Sequence, residues 1–127
     1  VDGAVDVVDV DRTEANRQRA VAFVDDVLVG RGHLDDYVDA NLIQHDPHTV
    51  DGRDAWQATL QRATHDKCHR VLANGNFVLV VCEGSLDGTH TSFFHLLRFD
   101  NGIIVEHWNT VEPVPPRDQW KNDNGKF

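Results

Sequence analysis

Positive charge is what this sequence lacks most. Twelve lysines and arginines stand against 21 aspartates and glutamates, for a net charge of −9. Nucleic-acid and anionic-membrane partners both require a basic patch, so neither is expected. Long apolar runs are also missing, and no stretch approaches the roughly 20 residues needed to cross a bilayer. The chain begins at Val1, and no basic stretch followed by an apolar one opens it, so no signal peptide is visible. Cysteine is scarce. Cys68 and Cys82 are the only two and form no CxxC, which fits reduced thiols better than a disulfide framework and favours a cytoplasmic location. There is no phosphate-binding loop, dinucleotide fingerprint or nucleophile elbow, and no cofactor is expected. Internal repeats and low-complexity segments are absent too.

What is present is enough for one soluble domain with its own core: 127 residues, 40% hydrophobic and 26% charged. Residues 1–10 alternate weakly and carry several acids, which suggests a flexible N-terminal arm before a single domain over 11–127. Asp11 and Glu14 have the spacing of a helix capping box. Ala20, Phe23, Val24, Val27 and Leu28 then recur at helical spacing, and Gly30 and Gly32 stop the helix. A short second helix is expected with Leu34, Tyr37 and Val38 on one face. The segment from Asn41 must be extended by the time it reaches Pro47. A third, weaker helix opens after Asp51-Gly52, with Trp56, Leu60 and Ala63 inward. From Cys68 the period changes to two. Asn74-Gly75 and Asp87-Gly88 mark turns between strands. Helices first and an antiparallel meander second imply an α+β fold, with a cavity between the two layers.

The hairpin from His90 to Val111 carries the most chemistry. A three-residue loop, Asp100-Asn101-Gly102, would set Phe99 opposite Ile103, His95 opposite His107 and Phe93 opposite Asn109. One strand face then holds Phe93, His95, Leu97, Phe99, Ile103, Val105, His107, Asn109 and Val111, an apolar wall with polar groups clustered at one end. The other face holds Phe94, Leu96, Arg98, Ile104, Glu106, Trp108 and Thr110, with Arg98 and Glu106 placed for a diagonal ion pair.

Three stretches resemble the SnoaL-like family of the nuclear transport factor 2-like superfamily. Asn41 to His48, NLIQHDPH, is similar to that family's YIQHNP box, with Gly52 following. His69 to Val78, HRVLANGNFV, is similar to HRVLAEGDFV, and Phe94 to Asn109 is similar to YDLFRVENGKIVEHWD. The ending NDNGKF also matches. The resemblance covers roughly residues 20–127, in order. It implies a cone of three N-terminal helices packed on a strongly curved, mostly antiparallel sheet. It also implies polyketide cyclase-like aldol condensation or ketosteroid isomerase-like activity, and a homodimer through the outer sheet face with Phe94 and Trp108 at the interface. His95 and Asn109 stand where relatives often carry Asp, and Asp46 stands where the subgroup usually carries Asn. Rough alignment with the isomerases pairs Asp46, as base, with His95, as the group facing the substrate oxygen.

Two readings follow. In the first, the protein performs cofactor-free acid–base chemistry beside a carbonyl on an apolar substrate, with His95, Asp46 and His45 catalytic. His107, Asn109, Trp56, Phe93 and Cys82 then line the ligand site. In the second, the same pocket binds a small apolar ligand with a polar or carbonyl end and does no chemistry. The loss of carboxylates at 95 and 109 favours the second, and Asp46 favours the first. In an extended strand His45 and Asp46 point to opposite faces, so at most one faces the cavity fully. A metal site built from His45, His48, His95 and His107 is not expected, because an H-x-x-H across a proline turn lacks the rigid local spacing of metal ligands.

Overall fold

In a computed structural model, residues 3–127 are described; Val1 and Asp2 of the expected N-terminal arm lie outside them. A 3-10 turn, Val10–Arg12, leads into helix α1, Thr13–Phe23, which continues as a π-helical turn over Val24–Val29. Ala20, Phe23, Val24, Val27 and Leu28 are all buried, as their spacing predicts. The capping box does not form. Asp9 starts the 3-10 turn without a side-chain cap bond, and Glu14 accepts from Arg17 Nε at 2.8 Å instead. The Thr13 hydroxyl takes part in the end of the helix, donating to the Val10 carbonyl at 2.7 Å.

The second expected helix shrinks to one 3-10 turn, Leu34–Asp36, because strand β1 (Val38–Gln44) begins immediately after it. Leu34, Tyr37 and Val38 are buried nonetheless, so the apolar triplet packs inward as its pattern predicts, on a backbone that is not the expected helix. Helix α2, Arg53–Leu60, follows from Gly52. Gly52 sits at φ 107, a conformation that is costly for any residue with a Cβ. Four strands then form a meander: β2 (Ala63–Asn74), β3 (Phe77–Leu86), β4 (Thr89–Asp100) and β5 (Ile103–Pro113). The sheet order is β1-β5-β4-β3-β2, antiparallel except for β1, which runs parallel to β5. The fold is therefore α+β, with helices over one face of a mostly antiparallel sheet. Phe23, Leu34, Leu42, Leu97, Phe99 and Ile104 fill the space between the layers.

The β4–β5 hairpin differs from the expected one in two compensating ways. Its turn has two residues, Asn101 at φ 50 and Gly102 at φ 77, with Asp100 opposite Ile103. A bulge then inserts Val105, since Phe99 faces Ile104 but Arg98 faces Glu106. Each change shifts the pairing by one residue. Together they shift it by two, which preserves the alternation. His95, Asn109, Leu97 and His107 therefore share the inner face as expected, but His95 lies opposite Asn109 and Leu97 opposite His107. Only the residues before the bulge exchange faces, so Ile104, not Ile103, packs inward with Phe99.

The cysteines overturn the expectation of free thiols. Cys68 and Cys82 are directly opposite across β2 and β3 and are joined in a disulfide. Fourteen residues separate them in sequence, and the hairpin closes that distance. No helix among the described residues is long and apolar enough to cross a membrane.

Candidate functional site

The inner sheet face and α2 enclose a cavity of about 500 Å3. Apolar walls come from Trp56, Leu60, Ala63, Leu86, Phe93 and Val111, and polar groups from Asp46, His48, Thr59, Arg62, His65, His95 and Asn109.

Asp46 reaches this cavity because Pro47 turns the chain just past the end of β1. Its Oδ1 accepts the backbone N–H of His48 at 2.9 Å, and its Oδ2 accepts Asn109 Nδ2 at 3.0 Å. Burial acts to raise its pKa, but these two hydrogen bonds, with help from His48 and His107, outweigh it and hold the carboxyl below its ordinary value of 3.8. Asp46 is thus an anion at neutral pH, set in a mostly apolar wall.

His45, one residue earlier, points the other way. Its ring stacks on Trp108 with centroids 4.6 Å apart, and its Nε2 lies 2.8 Å from Glu106 Oε1 on the outer face. Glu106 also accepts Arg98 Nε at 2.6 Å. The Arg98–Glu106 ion pair therefore forms between directly opposed residues, where a diagonal was expected. The expectation that His45 is catalytic is corrected: the alternation that brings Asp46 in sends His45 out. Cys82 is corrected as well. It is buried on the inner face and bonded to Cys68, so it contributes packing and no thiol to the site.

His107 is fully buried. Trp56 stacks on it with ring centroids 4.0 Å apart, and the cavity is lined by Trp56 with His107 behind it. His95 does line the cavity, but both its ring nitrogens are occupied. Nδ1 is 2.9 Å from His107 Nε2, and Nε2 is 3.0 Å from His65 Nε2. The role foreseen for His95, facing a substrate oxygen, has no nitrogen left to carry it. Phe93, Trp56 and Asn109 are in the cavity wall as expected.

His65 is the residue the sequence reading missed. It belongs to β2, which starts at Ala63, five residues before the change of period was placed. Ala63 and His65 alternate with Thr64 and Asp66, but so short a run is hard to separate from the end of a helix. Its ring crosses β3 at Gly84, its cross-strand partner. A Cβ on Gly84 would meet the Thr64 carbonyl oxygen at 1.7 Å, so only glycine admits this approach. The ring packs on Phe93 at 4.4 Å and reaches His95 on the next strand.

The result is a buried chain, Gln44–His107–His95–His65, that runs from β1 across the sheet. His107 Nδ1 is 2.8 Å from Gln44 Oε1. Burial pushes the imidazoles down: His65 to about 4, with the Arg31 charge adding to it, and His107 to about 3, with Asp46 opposing and His45 reinforcing. His95 lies well below its ordinary value, from burial and then its two histidine neighbours. All three are neutral at pH 7. Tyr37, the one tyrosine, donates its hydroxyl to Asp26 and packs on Phe23, away from the cavity.

Among solved structures, an NTF-2 like protein of unknown function from Burkholderia xenovorans is similar over 90% of this chain and 99% of that one, with TM-score 0.68 and 20% identity. A steroid delta-isomerase from Pseudomonas aeruginosa is similar over 80% of this chain and 82% of its own, with TM-score 0.62 and 21% identity. An epoxide hydrolase of the LEH-like kind from M. tuberculosis matches over 80% and 85%, with TM-score 0.59 and 16% identity. No family model and no curated protein matches the sequence.

Proposed function

We propose, from the nuclear transport factor 2-like fold that these likenesses show, that the protein catalyses cofactor-free proton abstraction beside a carbonyl on a small, mostly apolar substrate. One observation carries this reading: Asp46 presents an ionised carboxylate to a cavity with apolar walls from Trp56, Leu60, Phe93 and Val111, in the grip of a backbone N–H and the Asn109 amide. An anion in such a wall costs free energy unless it is bonded. These donors steady it, with the Thr49 hydroxyl at 3.4 Å as a third, and it lines the space where a substrate would sit.

In this reading Asp46 removes a proton from the carbon next to the carbonyl. Asn109 has a second amide N–H beyond the one given to Asp46, and it meets the oxygen on which negative charge develops. Trp56, Leu60, Phe93 and Val111 hold the apolar body of the substrate and exclude water. The name of the Pseudomonas isomerase fits this chemistry, as does the resemblance to SnoaL-like cyclases, in which an aldol condensation begins with the same proton removal. The alternative of a pocket that binds without reacting is favoured by the unreactive amide at Asn109, where relatives often carry a carboxylate.

Incubation with a panel of enolisable ketones in D2O separates the two. Wild type is expected to exchange protons beside the carbonyl, followed by NMR, and Asp46→Asn to lose exchange by on the order of 100-fold or more while keeping its fold and ligand affinity. Ligands that bind to wild type without any exchange would establish the non-catalytic reading.

The outer sheet face completes the proposal. Phe94 is 41% exposed there and Ile43 45%. The C-terminal segment covers a different part of the same face, where Phe127 stacks on His69 at 4.8 Å. We infer that a second copy of the chain covers the Phe94 region, in a two-fold dimer. The Cys68–Cys82 bridge weighs against the cytoplasmic location expected from the cysteine count, since disulfides persist mainly in oxidising compartments.

A further inference from the structure

The tautomer of each buried imidazole follows from one fixed point. Gln44 Oε1 accepts the backbone N–H of Asp46 at 3.1 Å. A backbone N–H only donates, so the oxygen of this amide, not its nitrogen, occupies that position, and the same oxygen faces His107 Nδ1 at 2.8 Å. His107 therefore carries its proton on Nδ1 and offers a lone pair at Nε2. His95 must then donate from Nδ1 and offer a lone pair at its own Nε2. His65 must in turn donate from Nε2, across 3.0 Å. Each neutral ring has one proton, so every step dictates the next. The last atom in the sequence is His65 Nδ1, a bare lone pair with no hydrogen-bond partner among the described residues. His65 is only 3% exposed and lines the cavity.

We propose that His65 is a specificity-determining residue whose Nδ1 accepts a hydrogen bond from a hydroxyl of the substrate, so that the cavity takes hydroxylated apolar molecules in preference to their ethers. Gln44, His107 and His95 are positioning residues that act through it. A buried acceptor without a donor costs free energy, and a ligand hydroxyl supplies that donor where a methyl ether leaves the nitrogen stranded. The arrangement is directional: reversing any one bond would set two N–H groups or two lone pairs against each other further along the chain. A smaller cavity lined by Arg31, Gln57 and Gln61 lies on another side of the His65 ring. A water held there would satisfy Nδ1 equally well, and in that case the ligand preference would be absent.

The inference rests on the cavity being a ligand site, and it stands whether or not Asp46 abstracts a proton. Its test is binding of 2-naphthol against 2-methoxynaphthalene by fluorescence titration at neutral pH, together with 15N NMR of the imidazole nitrogens. Wild type is expected to prefer the naphthol by on the order of tenfold, and His65→Phe to bind the two alike. The spectra should show protons on His65 Nε2, His95 Nδ1 and His107 Nδ1, and Gln44→Met should scramble that pattern while the protein remains folded. Equal affinity of wild type for the two probes, binding of neither, or a proton on His65 Nδ1 would overturn the proposal. If His65→Phe fails to fold, the wild-type preference and nitrogen pattern decide alone. Absence of ketone exchange in wild type, with the naphthol preference and nitrogen pattern as expected, would sink the proton-abstraction reading and leave this one standing.

Discussion

His65, His95 and His107 are kept neutral by burial, and that makes the protein sensitive to acid. An unfolded histidine titrates near 6.5, whereas His65 and His107 in the folded chain titrate near 4 and 3. Between those values the unfolded chain binds protons that the folded chain does not. Stability present above pH 6.5 is therefore lost as pH falls toward 4. For three such rings the slope approaches about 4 kcal/mol per pH unit at its steepest. Urea midpoints measured between about pH 7.5 and about pH 5 should fall accordingly, and His65→Phe should remove about a third of the slope. Asp46 behaves differently. Its carboxyl is held below 3.8, so its ionisation puts no limb on a pH–rate profile of proton exchange above the ordinary carboxylate range. A limb that disappears in Asp46→Asn but lies near neutrality would contradict this.

At the scale of elements, one inserted residue keeps the site on the correct side of the sheet. If Val105 were paired in regular alternation after the two-residue turn, His107 and Asn109 would rotate to the outer face, while Glu106 and Trp108 turned into the core. Deletion of Val105 joins Ile104 to Glu106 and keeps the observed pairs, Phe99 with Ile104 and Arg98 with Glu106, so cooperative unfolding, monitored by circular dichroism during a denaturant titration, is expected to persist with ligand still bound. Loss of the sharp transition would show that the bulge itself is needed. The β2–β3 hairpin has a different constraint. Its disulfide closes a span of 14 residues, which the chain-entropy model values at about 3 kcal/mol. Reduction, or Cys68→Ser with Cys82→Ser, should lower the free energy of unfolding by about that amount while leaving the cavity open to ligand.

At the scale of the whole molecule, the sheet has two working faces. The inner one carries the cavity. The outer one carries the buried Glu106, bonded to both Arg98 and His45, beside an apolar region around Phe94. If a second copy packs there, Phe94→Asp places a charge in an apolar interface and should yield monomers by sedimentation equilibrium, with the ligand site still formed. A wild-type protein that sediments as a monomer at micromolar concentration would rule the dimer out.

The sequence by itself determined the α1 stripe, the turn at Asp87-Gly88, the place of the β4–β5 turn though not its length, the α+β order, and the face shared by His95, His107 and Asn109. Each is a local pattern: a period, a turn chemistry, an alternation. Resemblance in three quoted stretches pointed to the same fold. The tertiary structure decided the rest, for reasons no local pattern carries. A turn one residue shorter than expected and a bulge without any compositional mark each shifted the pairing by one, so cross-strand partners slipped by two although their face was right. Whether His45 or Asp46 faces inward depended on how β1 docks beside β5. The Cys68–Cys82 bridge depended on β2 and β3 register, which two bulges adjust. His65 entered the site because β3 offers Gly84, where any Cβ would have met the Thr64 carbonyl and kept the two strands apart. That contact joins residues 30 positions apart and exists only once the sheet has formed.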